Sequence, residues 1–307
     1  MAFIASRRLV WLVILSAFLA QAQKNLDIFL LIGQSNMAGR GPMLSKDTAL
    51  ITGAYLFKDS STWEPARNPL NKYSMTSNGV PDEIGPGFGF AAEMHQLLPQ
   101  TSFGLIVNAV GGTSIKLWVK GASDKDGISY YAESIKRARQ AKKSGKLRGI
   151  LWHQGESDAG DSTYLVKLQG LIDSLRKDLG DPELPFVAGQ IGTFRPSNSG
   201  FNTRILKLPE MVPQTSVVLS DSLNHKGDST HFDRSSQIVL GHRYAAAAWT
   251  LVYNNGTVVL RNPRNPRRVE AMSCFWKNES MPFSWQVKNP SSRGISNVLG
   301  EKVGLAP

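Results

Sequence analysis

The chain has 307 residues and a single cysteine, Cys274, so it forms no internal disulfide and must be held together by its own core. A domain of more than about 200 residues buries enough surface to do so. With no second thiol to argue from, Cys274 carries no expected role. Also missing is an apolar run of the roughly 20 residues that a membrane-spanning helix needs. The run from Leu9 to Ala20 falls short of that length. It follows Arg7 and Arg8 and runs into Ala20-Gln21-Ala22, the small-x-small pattern of a signal-peptidase site. Residues 1–22 are therefore expected to be a signal peptide cleaved after Ala22. A secreted, extracellular or cell-wall protein with no stable membrane anchor would result.

Acidic residues are in deficit, 24 against 35 Lys plus Arg, and the formal charge of +11 raises the question of a nucleic-acid partner. The excess is not spread evenly. Two of the bases lie in the leader, and residues 254–307 hold eight bases against three acids. The body from 23 to 253 keeps 25 bases and 21 acids, an ordinary surface balance, and nucleic acid drops out as a partner. Repeats and disorder-type composition are absent as well, and a hydrophobic content of 41% is that of a globular protein.

What is present is an alternation of short apolar runs and amphipathic segments. Leu26–Ile32, Phe103–Val110, Gly149–His153, Phe186–Ile191 and Ser216–Ser220 read as strands buried on both faces, each ending at a loop-forming residue. Between them, Tyr130–Ser144, Ser162–Leu179 and Ser235–Val252 have helical period. The second carries Leu165, Leu168, Leu171, Ile172 and Leu175 on one stripe, and the third Ile238, Val239 and alanines. This pattern predicts a three-layer α/β/α sandwich around a mostly parallel sheet, with its chemistry at the carboxyl ends of the strands. Residues 40–102, rich in Gly, Pro, Asn and Ser, predict one strand at Ala54–Lys58, one helix at Phe88–Leu98 and loops that wall a substrate site. The segment 254–307 lacks a core face and reads as a basic, poorly structured extension containing two sequons, Asn255-Gly256-Thr257 and Asn278-Glu279-Ser280.

Four polar motifs fall at these strand ends. Ser35, in Gly33-Gln34-Ser35-Asn36-Met37-Ala38-Gly39, stands where a strand meets a helix, close to backbone N–H groups able to hold an oxyanion. Taken locally it is equally a helix cap. Asp228-Ser229-Thr230-His231 places a carboxylate and an imidazole three residues apart, as a serine nucleophile requires; taken singly it is also an ordinary polar loop. His153-Gln154-Gly155-Glu156-Ser157 supplies groups that either hydrogen-bond within the loop or grip a substrate, with Gln154 able to donate to an oxyanion. Gly111-Gly112-Thr113-Ser114 lets a backbone N–H come close to a bound carbonyl.

On these four motifs, residues 26–252 closely resemble the SGNH hydrolases, and within them the carbohydrate esterase family 6 and sialate O-acetylesterase-like domains, notably the plant branch. The resemblance implies a flavodoxin-like domain acting as a carbohydrate O-acetyl esterase on an acetylated carbohydrate, without metal or organic cofactor. It implies Ser35 as nucleophile, His231 as base and then acid, and Asp228 as the carboxylate behind it. Its oxyanion hole would use the N–H groups of Ser35 and Gly112 and the side chain of Gln154, where many SGNH hydrolases carry Asn. Gln34, Asn36, His153 and Glu156 would orient these groups or touch substrate. Two other readings remain at this point. One is a secreted carbohydrate-binding protein on the same fold without catalysis, and the other a metallohydrolase using His153, Glu156, Asp228 and His231 as ligands.

Overall fold

The structure, a computed structural model, describes residues 25–59, 61–75 and 83–253 and two short strands further on. The expected leader with its cleavage point, Cys274 and both sequons lie outside the described residues. Two compact units are present, 1–256 and 257–307. In the second, β10 (Ile295–Ser296) and β11 (Lys302–Val303) pair antiparallel, and the rest of the expected extension is outside the described residues. Among the described residues no helix is long and apolar enough to cross a membrane.

The first unit is organised by β1 (Leu26–Gly33), all eight residues of which are buried. Because side chains alternate across a strand, Leu26, Ile28, Leu30 and Ile32 enter one core layer while Phe29 and Leu31 enter the other. Further along the chain come β2 (Gly41–Pro42), β3 (Ala54–Phe57), β4 (Trp63–Pro65), β5 (Glu83–Ile84), β6 (Phe103–Ala109), β7 (Gly145–His153), β8 (Phe186–Gly189) and β9 (Thr215–Val218). Seven of these form one sheet in the order β4-β3-β6-β1-β7-β8-β9, parallel except for β4 on the edge. The minor pair β2 and β5 is separate. The chain moves to one side of β1 for β3, β4 and β6 and to the other for β7, β8 and β9. A crevice therefore opens at the carboxyl end of β1.

Helices cover both faces. Chain order gives α1 (Ser35–Ala38), α2 (Pro86–Leu97), α3 (Tyr130–Ala141), α4 (Tyr164–Leu179), α5 (Asn198–Ile205), α6 (Leu208–Met211) and α7 (Arg234–Val252). Ile135 of α3 and Leu168, Leu171, Ile172 and Leu175 of α4 pack on one layer, with Leu165 at its margin. On the other face α2 and α7 approach backbone to backbone. A methyl on Gly89 would stand 2.3 Å from the carbonyl oxygen of Ile238, and one on Gly241 2.2 Å from that of Pro86. This contact turns α7 so that Gln237, Leu240, Gly241, Tyr244, Ala245 and Ala248 are buried, while Ile238 and Val239, expected inside, are only half-buried.

The predicted three-layer α/β fold is what the chain adopts. The strands begin and end within four residues of the expected limits, and the largest discrepancy is β7, which starts at Gly145 rather than Gly149. Its first residues alternate with the polar Lys146 and Arg148 and so lack a continuous apolar signal. Residues 40–102 are less loop-like than their composition suggests, because β3, β4 and α2 all belong to the main scaffold.

A buried cation stitches this edge together. Arg137 on α3 donates from Nη2 to the carbonyl of Phe57 (2.9 Å), and from Nη1 to the carbonyls of Tyr73 and Val107. Burial brings its guanidinium down to about 10. Replacement of Arg137 by Met is expected to cost about 3 kcal/mol, since it takes the donor away from the buried bonds to the Phe57 and Val107 carbonyls. A urea midpoint unchanged from wild type would contradict this role.

Candidate active site

Gly33 ends β1 with φ +137°, and a methyl placed on it would stand 2.1 Å from the His153 carbonyl oxygen. Only glycine permits this turn beside β7. Gln34 then donates its N–H to that carbonyl (2.9 Å) and occupies the cap position of α1. Ser35 is the first residue of the helix and not its cap, which removes the local alternative for it. Its N–H, opening the helix, has no acceptor within it.

The loop between β9 and α7 carries His231 to this serine. His231 Nε2 lies 3.0 Å from Ser35 Oγ, and Nδ1 lies 2.6 Å from Asp228 Oδ2. The other carboxylate oxygen, Oδ1, accepts the N–H of His231 (2.8 Å) and of Thr230 (2.9 Å). Desolvation works against an ionised Asp228. The His231 N–H and imidazole and the Thr230 N–H outweigh it, and the carboxyl is held well below its usual range. Ser229 sits at φ +55° within this tight loop, and His225 Nδ1 accepts the N–H groups of Gly227 (2.9 Å) and Ser229 (3.2 Å).

Asn36 fixes the same loop from below. Fully buried, it donates to the carbonyl of Thr230 (3.1 Å) and accepts from the N–H of Phe232 (3.1 Å), gripping the chain on both sides of His231. It also donates to Glu156 Oε1 (2.5 Å). Burial raises the Glu156 carboxyl, but the His153 imidazole and the Asn36 amide prevail and hold it below its usual range. His153 has no exposed surface: Nδ1 is 3.1 Å from the Tyr244 hydroxyl and Nε2 3.7 Å from Glu156. Tyr244 already donates to the Trp152 carbonyl (2.7 Å), so the proton in the His153 contact belongs to Nδ1. Such a ring orients neighbours and cannot touch a sugar. Gln34 Oε1 receives the N–H groups of Gly155 and Ser157, both at 3.4 Å.

The side chain of Gln154, the expected oxyanion donor, lies in a hydrogen-bond network beside the Gly111–Ser114 turn. Gln154 Nε2 donates to the Thr113 carbonyl (3.0 Å) and to Asp158 Oδ2 (2.5 Å), both of which can only accept, and its Oε1 takes the Tyr164 hydroxyl (2.9 Å). Both amide hydrogens are engaged here, and donation to an oxyanion would exchange one of these bonds for it. Gln154 thereby ties its loop to the Gly111–Ser114 turn. Asp158, which the sequence motifs did not single out, completes the tie through Ser114 Oγ (2.6 Å) and the Ile115 N–H (2.8 Å). That turn abuts the nucleophile, for a methyl on Gly111 would stand 3.7 Å from Ser35 Cβ. Gly112, at φ +73°, has open space beside it.

The proposed metal set is not assembled. Both nitrogens of His231 are engaged by Ser35 and Asp228, and His153 is enclosed behind them. Among the described residues no three His, Cys, Asp or Glu side chains group to hold an ion.

Residues 25–250 match the family described as carbohydrate esterase, sialic acid-specific acetylesterase (SASA). The chain belongs to this family. It is a carboxylic ester hydrolase of the carbohydrate acetylesterase group. A probable carbohydrate esterase of Arabidopsis thaliana is 31% identical over 244 residues, spanning 72% of this chain and 89% of the relative. The X-ray structure of that Arabidopsis protein superposes with a TM-score of 0.66 at 28% identity, covering 74% of this chain and 98% of the other. At the level of fold, the chain is also similar to a carbohydrate acetylesterase from Xanthomonas citri (TM-score 0.56, 20% identity, covering 74% and 57%). NanS is similar in fold too (TM-score 0.59, 16% identity, covering 74% and 97%). The matched residues 25–250 lie within the first unit.

Proposed function

We propose that this SASA domain is a secreted serine esterase that removes O-acetyl groups from a carbohydrate through an acyl-enzyme. The observation that carries the reading is the continuous chain Ser35 Oγ, His231 Nε2, His231 Nδ1 and Asp228 Oδ2, with links of 3.0 and 2.6 Å.

As Ser35 Oγ attacks the acetyl carbonyl carbon, its proton passes to His231 Nε2, and the carbonyl electron pair moves onto oxygen. The Ser35 N–H and the Gly112 N–H are the backbone donors assigned to that oxygen. Collapse breaks the bond to the sugar oxygen, which leaves with the proton from His231. Water then attacks the acetyl-serine, giving its proton to His231, and acetate departs as Ser35 recovers its hydrogen. Asp228 holds Nδ1 protonated and steadies the imidazolium in both halves.

Acetate release should be measured on acetylated xylan, acetylated pectin and O-acetyl sialic acid. Turnover of at least one, abolished in Ser35→Ala, is expected. Release from none by the wild type, with saturable binding retained, would replace this reading by that of a binding protein. For secretion, the full chain expressed in a eukaryotic host is expected in the medium with Gln23 as its first residue. Retention in the cell with residues 1–22 still attached would contradict it.

A further inference from the structure

Asn36 grips the chain on both sides of His231, and a second side chain does the same for Asp228. The loop that carries the pair folds back on itself. The Lys226 N–H donates to the His231 carbonyl (2.9 Å), the Asp233 N–H donates to the Asn224 carbonyl (3.0 Å), and His225 pairs with Phe232. At its tip Gly227 and Ser229 stand at φ +118° and +55°, one on either side of Asp228. A serine keeps such a left-handed backbone only where its surroundings impose it. Here the imposing group is the His225 imidazole, whose Nδ1 accepts the N–H of Gly227 (2.9 Å) and of Ser229 (3.2 Å). The ring is itself steadied by Phe194, at 5.1 Å between centroids, and Phe194 rests on Phe232 at 5.2 Å.

A backbone N–H can only donate, so Nδ1 is bare and the neutral ring carries its proton on Nε2. A second proton would make Nδ1 a donor facing two donors, and both contacts would break. We propose that His225 is a positioning residue of this esterase: its unprotonated Nδ1 holds the Asp228 turn against His231 and lets it go when the ring takes up a proton. The inference rests on the serine-esterase reading above. Pro42, Lys226, Asp233, Arg234 and Ser235 line the hollow beside the ring. The charged groups around it are engaged elsewhere, Lys226 with Glu83 (2.9 Å), Arg234 with Asp47 (2.6 Å) and Asp233 with the Ser236 N–H (2.7 Å). Next to Phe194, Arg195 donates to Thr230 Oγ1 (2.7 Å), and Asp228 is held by His231. Acid therefore acts on the triad twice, at His231 and at His225, while Asp228, held well below its usual range, stays ionised. When two bases must both be free, log kcat/KM falls with a slope approaching two on the acid side, against one for a single base.

The test is hydrolysis of an uncharged aryl acetate by the full chain and by its His225→Leu and His225→Asn variants, with active sites counted by an aryl phosphonate. His225→Leu keeps an apolar contact for Phe194 but has no acceptor. It is expected to lower kcat per active site by about ten- to a hundredfold, with KM changed less than about threefold. In His225→Asn, Oδ1 stands two bonds from Cβ as Nδ1 does, and an amide takes up no proton. This variant should recover most of the kcat and show an acid limb of slope about one where wild type approaches two. Should His225→Leu fail to fold, the acid limb of His225→Asn decides. Three results would each overturn the proposal: a His225→Leu kcat within about threefold of wild type, a His225→Asn as slow as His225→Leu, or a His225→Asn acid limb that superposes on that of wild type. A wild-type protein that neither hydrolyses the acetate nor takes up the phosphonate would instead overturn the esterase reading itself.

Discussion

Ser35→Ala and His231→Ala are each expected to lower kcat on an acetyl ester by about 10⁵-fold or more, and the double variant is expected to be no slower than either single one. The reason is that the two atoms 3.0 Å apart perform one step together. Without the imidazole the hydroxyl keeps its proton and is a poor nucleophile; without the hydroxyl the imidazole has nothing to activate in the acyl-forming half. Binding should survive in both variants, because the substrate walls and backbone donors are untouched, so KM is expected to move little. Additive losses in the double variant would mean that the residues act independently, contrary to the hydrogen-bonded chain.

Asp228→Asn is expected to cost about 10⁴-fold in kcat while preserving the fold. Oδ1 is pinned by two backbone N–H groups and must remain an acceptor, so the new NH₂ takes the place of Oδ2, facing His231 Nδ1. Nδ1 must then accept, the ring proton moves to Nε2, and the nitrogen beside Ser35 can no longer take a proton. The same substitution has a stability signature. The folded carboxyl of Asp228 lies below its ordinary 3.8, so its ionised form stabilises the native state above that pH and the contribution is lost as pH falls through the folded value. Asp228→Asn should therefore show a smaller decline in urea midpoint than wild type on going from pH 5 to pH 2. An equal decline would place the acid sensitivity in other carboxylates.

The scaffold was legible because buried parallel strands write continuous apolar runs, and β1 is the clearest of them. The orientation of α7 was not. Its buried face is set by the close approach at Gly89 and Gly241, a tertiary contact that no helical period records. Ser35, Asp228 and His231, each ambiguous when taken singly, stood out through the conjunction of four strand-end motifs and the family resemblance these carry, and the fold brings all three together. Gln154 illustrates the opposite case. An amide can donate to an oxyanion or to a carbonyl with equal ease, and the bonds of Gln154 to Thr113 and Asp158 are tertiary contacts that the motif does not record. Asn36 was placed among the supporting residues, but its grip on both sides of His231 depends on a loop 194 residues away.

The account stands most directly on whether Ser35 becomes covalently modified. The full chain should be treated with an aryl phosphonate and the adduct located by peptide mass mapping, with acetate release followed in parallel. One adduct per chain on Ser35, with activity lost in proportion and no adduct in His231→Ala over the same time, is the expected result. An intact Ser35 in protein that has lost activity, or acetate release that continues in protein fully modified at Ser35, would contradict it.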